Sequence, residues 1–450
     1  MQTSFLKYAN TEVPRYTSYP TAVQFSAEID QIQYRNWLQE LPQSEPLSLY
    51  VHIPFCEQMC WYCGCHTNIV TGYQRIGEYL ADLACEVTLV AAAMSEHQGP
   101  VAELHFGGGS PSLLSGEDFY ALVAKLRTQF SFSSQTKIAV EIDPRTMNAA
   151  KAAAYAKASV TRVSLGVQDF NLHVQQKINR IQPPEMVRQV INWLKTAGIF
   201  AINFDLIYGL PTQSLDDIRR TIDLALEMQP DRFAVFGYAH VPWFKKHQQL
   251  IVPEDLPDTA LRLQQADLVA ELLTNAGYIR VGFDHYARAD DALGLASTNS
   301  QVRRNFQGYT DDACDVLIGF GASSISALPQ GYVQNDPQMG KWRQQVRAGY
   351  LPVVRGVGLR QDDKLRRAAI MQVLSQGQLD MAALCRSFDL DAAALDDALP
   401  KLAPLAQDGL LTLSNRRLQV TPDGIRFLRN IAACFDSYWQ PAQKRHCLAV

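Results

Sequence analysis

The chain has 450 residues, 47% hydrophobic and 19% charged, with a net charge of −4. Those values fit a globular protein with one large core and a smaller appended domain, and exclude a disordered chain. They weigh against general nucleic-acid binding, which shows as a basic excess, while a few local arginines would still suffice to hold an anionic small substrate.

Residues 1–45 read as an arm ahead of the first strand-like run. The opening "MQTSFLKYANTEVPRYTSYP" lacks an apolar core of signal-peptide length, and no run approaches the ~20 apolar residues that span a bilayer, so the expected compartment is the cytoplasm, without membrane insertion. From 47 to 240, six β-rich runs alternate with amphipathic helical stretches: "LSLYVHIP", "VAELHFGGG", "KIAVEIDP", "TRVSLGVQ", "AINFDLIYG" and "RFAVFGYAH". Between the first two, Ile76, Leu80, Leu83, Val87, Val90 and Met94 recur at helical spacing. Before the third, Ser115 reads as an N-cap with Asp118 three residues on, which makes Asp118 a cap rather than a catalyst. Six strand–helix units predict parallel strands in a partial TIM-type (β/α)6 barrel, with residues just past each strand gathered at one mouth. This barrel and its extension occupy 46–350.

From 355 to 450 the pattern changes to helices over 362–376, 378–388 and 391–407, a hairpin in "LLTLSNRRLQVT" and a helix through "DGIRFLRNIAACF". That order predicts a mostly helical, winged-helix-like C-terminal domain. Thirteen Lys and Arg against ten Asp is too small an excess to favour DNA reading over a packing or lid role.

Four of the nine cysteines fall within "FCEQMCWYCGCH": Cys56, Cys60, Cys63 and Cys65. A reducing compartment and an odd total argue against disulfides. Three thiolates on a loop leaving a strand can take three irons of a cubane and leave the fourth open. A structural zinc site wants four ligands, usually in two pairs; Cys85, Cys314, Cys385, Cys434 and Cys447 are scattered singly, although His66 could complete a compact zinc site. Cys434 and Cys85 read as packing residues. The glycines of "GGGSP" allow close backbone approach to a ligand, but no Lys-Ser/Thr follows and the run is not a phosphate loop. Glu141 and Asp205 are isolated acids in apolar strands, so each needs a partner: a ribose hydroxyl, an ammonium, or an internal salt bridge.

The Cys56-x3-Cys60-x2-Cys63 pattern resembles the radical S-adenosylmethionine enzymes. Within them, "PRYTSYPTA", "LSLYVHIPFC", "CGC", "GGGSP", "EIDPR", "GVQDFN", "DLIYGLP", "YAH", "RNFQGYT" and "RNIAACFD" resemble the oxygen-independent coproporphyrinogen III oxidases over nearly the full length. The resemblance implies a 4Fe-4S cluster on Cys56, Cys60 and Cys63, with the open iron taking the amino and carboxylate groups of S-adenosylmethionine. It further implies that Tyr50, Tyr62, Gly108, Gly109, Ser110, Glu141, Gln168, Arg180, Asp205, Ala239 and Ile325 line sites for two adenosylmethionine molecules. Ser110 stands where the family more often has threonine. Cys65 matches a cysteine of the decarboxylating enzymes that haem-carrying relatives typically lack. The implied reaction turns two propionates of coproporphyrinogen III into vinyl groups, giving protoporphyrinogen IX for haem synthesis, by way of a 5′-deoxyadenosyl radical. The implied partners are a reduced donor such as a flavodoxin-type protein and an unidentified electron acceptor, around a monomer with no nucleic acid. Arg15, Arg288, Arg303 and Arg304 fall in family-like segments and are candidates for the substrate carboxylates. A haem-binding or haem-delivery protein on the same scaffold, and a zinc-bearing interaction or nucleic-acid module built on the C-terminal domain, are the rival readings.

Overall fold

The structure, a computed structural model, describes residues 5–440. Residues 1–4 of the arm and 441–450, with Cys447, lie outside the described residues. All six expected runs are strands: β1 (Leu47–Ile53), β2 (Pro100–Gly108), β3 (Ser131–Ile142), β4 (Arg162–Gln168), β5 (Ala201–Tyr208) and β6 (Arg232–Gly237). They pair in parallel in that order. A further parallel strand, β7 (Val316–Phe320), joins the free side of β1, and antiparallel strands extend the sheet at both ends to twelve.

Period-2 alternation decides which way each side chain points. In β4, Val163, Leu165 and Val167 are buried under the helices, while Arg162, Ser164, Gly166 and Gln168 face a central cavity. In β5, Ile202, Phe204 and Leu206 are buried and Ala201, Asn203, Asp205 and Ile207 face the same cavity. Helix Gln74–Ala93 buries Ile76, Leu83, Val87 and Val90 as its spacing predicts. Ser115 accepts the Asp118 N–H at 3.1 Å, and Asp118 serves as a helix-start residue. Cys434 is buried, but Cys85 lies exposed on its helix and is not a packing residue.

The C-terminal unit has helices at Gln361–Gln376, Met381–Ser387 and Leu399–Gln407 and the expected hairpin, Leu411–Ser414 with Arg417–Val420. Two boundaries differ from the sequence reading. Residues 378–380 form a third strand on the hairpin, because Gly377 ends the preceding helix in the left-handed region at φ 65°. The helix expected over 391–407 becomes regular only at Leu399, with Pro400 in its first turn, where proline needs no amide partner. The last segment is a 3-10 turn at Gly424–Phe427 followed by helix Leu428–Ala433.

The arm is tied to this C-terminal unit. Phe5, Ala9, Val13, Tyr16 and Tyr19 share a core with Leu365, Ile370, Phe427 and Phe435. Buried Arg429 donates to the carbonyls of Pro14 (3.1 Å) and Val13, and Tyr16 donates its hydroxyl to Asp436 at 3.0 Å. Residues 22–39 instead lie along the sheet edge, where Ser26 bridges to Gly356 and Trp37 packs over Gly331. Replacing Arg429 with Met leaves two buried carbonyls without donors, at a cost of about 2–4 kcal/mol. The expected result is proteolytic cleavage and fast hydrogen exchange within residues 5–20, with far-ultraviolet circular dichroism unchanged.

Candidate active site

Beyond Ile53 the chain leaves β1 as a loop whose carbonyls are held from outside. Asn179 donates to Met59 O (2.9 Å), Gln248 to Tyr62 O (2.9 Å) and Lys245 to Cys65 O (2.9 Å), while the His247 ring contacts Cys63 O at 2.7 Å. The Trp61 N–H donates to Ile178 O at 3.0 Å, and the short pairing of 55–56 with 68–69 closes the loop. A segment with no regular ladder of its own is thereby fixed in position.

The four thiols of this loop line one cavity of about 880 Å³. Each ligand-position sulfur receives a hydrogen bond: Cys56 from Thr67 Oγ1 (3.2 Å), Cys60 from Arg180 Nη1 (3.5 Å) and Arg145 Nη2 (3.6 Å), and Cys63 from the Cys65 N–H (3.4 Å). Hydrogen bonds from the Cys65 thiol and, against burial, from its backbone N–H lower the Cys63 thiol to about 6. Burial outweighs the Thr67 bond at Cys56 and pushes that thiol up to about 11. Donors aimed at sulfur suit thiolates bound to iron, whose charge they share. His66, the residue considered for completing a zinc site, does not line the cavity; its ring lies 6.1 Å from that of His52.

Arg180 is buried on the cavity wall. Its Nη1 meets Asp143 Oδ2 at 3.0 Å and its Nη2 donates to Gly166 O at 2.7 Å, while its Nε has no hydrogen-bond partner among the described residues. An orphaned N–H in a cradle lined by thiols is a place a bound cofactor would satisfy. Arg145 grips the same Asp143 carboxylate at 2.7 Å. Burial alone would raise Asp143; the two guanidinium groups reverse that and hold it at about 2.

Gly108 and Gly109 permit a close approach that other residues would block. A Cβ on Gly108, at φ 116°, would lie 2.6 Å from the His52 ring, and one on Gly109 would lie 2.5 Å from Thr67 Oγ1. Ser110 is buried and bonds Ser112 at 3.1 Å, so its hydroxyl points away from the cavity. Glu141 faces the cavity with His105 Nε2 at 3.1 Å and the Gly108 N–H at 3.3 Å. Asp205 has no salt bridge among the described residues; Ser164 (2.7 Å) and Asn203 (2.8 Å) donate to it, and burial raises its carboxyl to about 6. Gln168 lines the cavity at a register break with φ 67°, a conformation costing about 1–3 kcal/mol.

Tyr62 and Ala239 also line the cavity; Tyr50 and Ile325 do not. Tyr50 lies beneath the wall, stacked at 5.9 Å on His105 and donating to His52 Nδ1 at 3.0 Å. Ile325 packs its backbone against Gly319, the partner of Tyr50 across β1 and β7. Of the four candidate substrate arginines only Arg15 reaches the cavity, where it donates to Gly237 O at 3.0 Å. Arg288 and Arg303 are exposed partners of Asp290 and Asp315, and Arg304 is buried between the rings of Phe283 and Tyr309. Asp143, Arg145, Thr67 and the clamp of Lys245, His247 and Gln248 were not anticipated as site residues. Nor was His285, which lines the cavity with its Nδ1 2.6 Å from Asp284 Oδ1. "EIDPR" was the one visible signal among these.

The chain matches the family model described as the Radical SAM superfamily over residues 50–225 and the HemN C-terminal domain over 359–427. Oxygen-independent coproporphyrinogen III oxidase of Bradyrhizobium diazoefficiens is 45% identical over 445 residues, covering 99% of both chains. The Salmonella typhimurium protein of the same name is 37% identical over 430 residues, 95% of this chain and 93% of that one. The solved Escherichia coli structure titled "Coproporphyrinogen III oxidase (HemN) from Escherichia coli is a Radical SAM enzyme" superposes with a TM-score of 0.90 at 35% identity, over 96% of this chain and all of that one.

Removing one partner of a buried ion pair leaves the other charge uncompensated. Asp143→Asn is therefore expected to cost about 3–5 kcal/mol, read as a lowered urea midpoint under anaerobic conditions, with Arg145→Gln costing clearly less because Arg180 keeps its carboxylate.

Proposed function

The chain belongs to the oxygen-independent coproporphyrinogen III oxidases of the radical S-adenosylmethionine superfamily, and from that premise we propose which of its residues run the reaction. It is an oxidoreductase that decarboxylates two propionates of coproporphyrinogen III to vinyl groups without oxygen, giving protoporphyrinogen IX. The observation that carries the residue assignment is the single cavity shared by Cys56, Cys60 and Cys63, each with a donor on its sulfur.

When bound and reduced, the 4Fe-4S cluster and adenosylmethionine supply a hydrogen-abstracting 5′-deoxyadenosyl radical. Cys56, Cys60 and Cys63 would hold the irons. Gly108 and Gly109, which line the cavity, would present backbone to the cofactor, the free Nε–H of Arg180 offers it a donor, and Glu141 and Asp205 take its ribose hydroxyl or ammonium groups. Tyr50, Ser110 and Ile325 support that wall from behind. Two adenosylmethionine molecules would divide the cavity-lining residues between them: Gly108, Gly109 and Glu141 on the β1–β3 side, and Gln168, Asp205 and Ala239 on the β4–β6 side. Cys65, exposed beside Cys63, meets the substrate. Excluding water protects the reactive species, and residues 1–45 and 355–450 act as covers over the barrel of 46–350; the reach of Arg15 to Gly237 supports this. In the Arg429→Met chain, adenosylmethionine cleavage should then run without matching vinyl formation; unchanged coupling would refute the cover.

The chain works as a monomer, since it alone supplies every expected site residue, and draws single electrons from a flavodoxin-type donor. The thiol loop needs a reducing compartment, which supports the cytoplasm; among the described residues no helix is long and apolar enough to cross a membrane.

Anaerobic reconstitution with iron and sulfide, followed by reductant, adenosylmethionine and coproporphyrinogen III, should give protoporphyrinogen IX. Cys65→Ser should keep the cluster spectrum and lose at least about tenfold in vinyl product; full activity would remove Cys65 from the mechanism. Asp205 provides a pH test. Its carboxyl, raised to about 6, is charged above that pH and protonated below it. Adenosylmethionine binding should therefore weaken as pH falls from 7 to 5, and the Asp205→Asn variant should bind weakly with no such slope.

A further inference from the structure

The segment 241–252 has two faces with opposite duties. Its inner face holds the cysteine loop through Lys245, His247 and Gln248, each on a different carbonyl between Tyr62 and Cys65. Its outer face presents Trp243, 66% exposed, Phe244, 74% exposed, Leu250 and Val252 to solvent. The four are too concentrated to be scattered surface apolars. Trp243, Phe244 and Leu250 do not line the cavity, although Val241 and Ala239 do, so this surface lies outside the substrate chamber.

The charge of the same segment is one-sided. In a chain of net charge −4, residues 241–252 carry Lys245, Lys246 and His247 and no acid. Lys246 is exposed, and Lys245 lies 5.3 Å from the centre of the Phe244 ring. Exposed aromatic anchors beside the exposed cation of Lys246, with Lys245 at the edge of the Phe244 ring, favour an acidic protein partner: the aromatics bury area and the charge steers the encounter. From Phe244 the covalent path to the loop is one residue, then the Lys245 contact to Cys65 O.

We propose that Trp243, Phe244 and Lys246 form the docking surface for an acidic one-electron carrier protein that reduces the cluster. The proposal rests on the reading of Cys56, Cys60 and Cys63 as cluster ligands. In the step, the carrier's anionic flavin hydroquinone gives up one electron and leaves as the neutral semiquinone, with no proton transferred. The oxidised cluster gains that electron, and no covalent bond forms between the proteins. The clamp of Lys245, His247 and Gln248 makes the surface and the cysteine loop one mechanical unit, so docking need not move the ligands.

The test uses the full-length, cluster-loaded enzyme with chemically reduced flavodoxin as the probe, and compares the parent with Trp243→Ala/Phe244→Ala and with Lys246→Glu. Stopped-flow bleaching of the cluster by flavodoxin should slow by about tenfold or more in both variants, and in the parent it should fall steeply as salt rises. Bleaching by dithionite, and dithionite-driven adenosylmethionine cleavage, should match the parent. Equal losses with dithionite and flavodoxin would overturn the proposal, because the residues would then serve the site itself. Unchanged flavodoxin kinetics would overturn it too, as would binding of the parent but not the variants to anionic lipid vesicles with flavodoxin kinetics intact. A parent that takes up no cluster, or whose cluster dithionite does not reduce, would refute the ligand reading instead, so the two failures are distinct.

Discussion

Arg180 is the charge around which the site is organised. Its side chain is 7% exposed, and a cation so deeply placed is tolerated only with an anion beside it. Asp143 supplies that anion from the end of β3, the Gly166 carbonyl accepts from the end of β4, and the sulfur of Cys60 lies within reach. One guanidinium therefore ties two barrel strands to the cysteine loop. Arg145, close on the chain to Asp143, doubles the attachment and makes the carboxylate's charged state the favourable one in spite of its burial. The loop's position relative to the strand ends is consequently set by electrostatics inside the cavity as much as by covalent continuity with β1.

The second constraint is on the loop's backbone. A stretch such as 56–66 has glycine, alternating cysteines and no ladder, and left alone would sample many conformations. Here side chains from three other parts of the chain, Asn179, Lys245–Gln248 and Thr67, take up its carbonyls or its sulfur. His52 joins in from below. Burial keeps its ring neutral, at about 4, so Nε2 can donate to His66 O while Nδ1 accepts from Tyr50. Tyr50 thus acts on the loop through a histidine even though it does not reach the cavity.

How much of this was legible in the sequence follows from the range of each interaction. The six strands and their helices were readable because period-2 and helical apolar spacing are local, and the cysteine spacing lies within one decade of residues. β7 was not, since "VLIGF" is five residues long and pairs with a strand more than 260 positions earlier. The short strand at 378–380 depends on a hairpin forty residues later. Among arginines, composition could not say which face of a hairpin each would occupy: Arg303 and Arg304 are neighbours, yet one is solvent-exposed and the other is buried against aromatic rings. Lys245, His247 and Gln248 were invisible for the same reason, being ordinary residues until tertiary structure brings them to the loop's carbonyls, whereas Asp143 showed only as part of "EIDPR".

The grip of Arg429 and Asp436 on Val13, Pro14 and Tyr16 joins stretches of chain some 420 positions apart. A ribosome emits the amino-terminal partner first and the carboxyl-terminal one near the finish, so the nascent arm has nothing to fasten to while the strands assemble. The arm's attachment is therefore among the last contacts of the fold that the growing chain can complete.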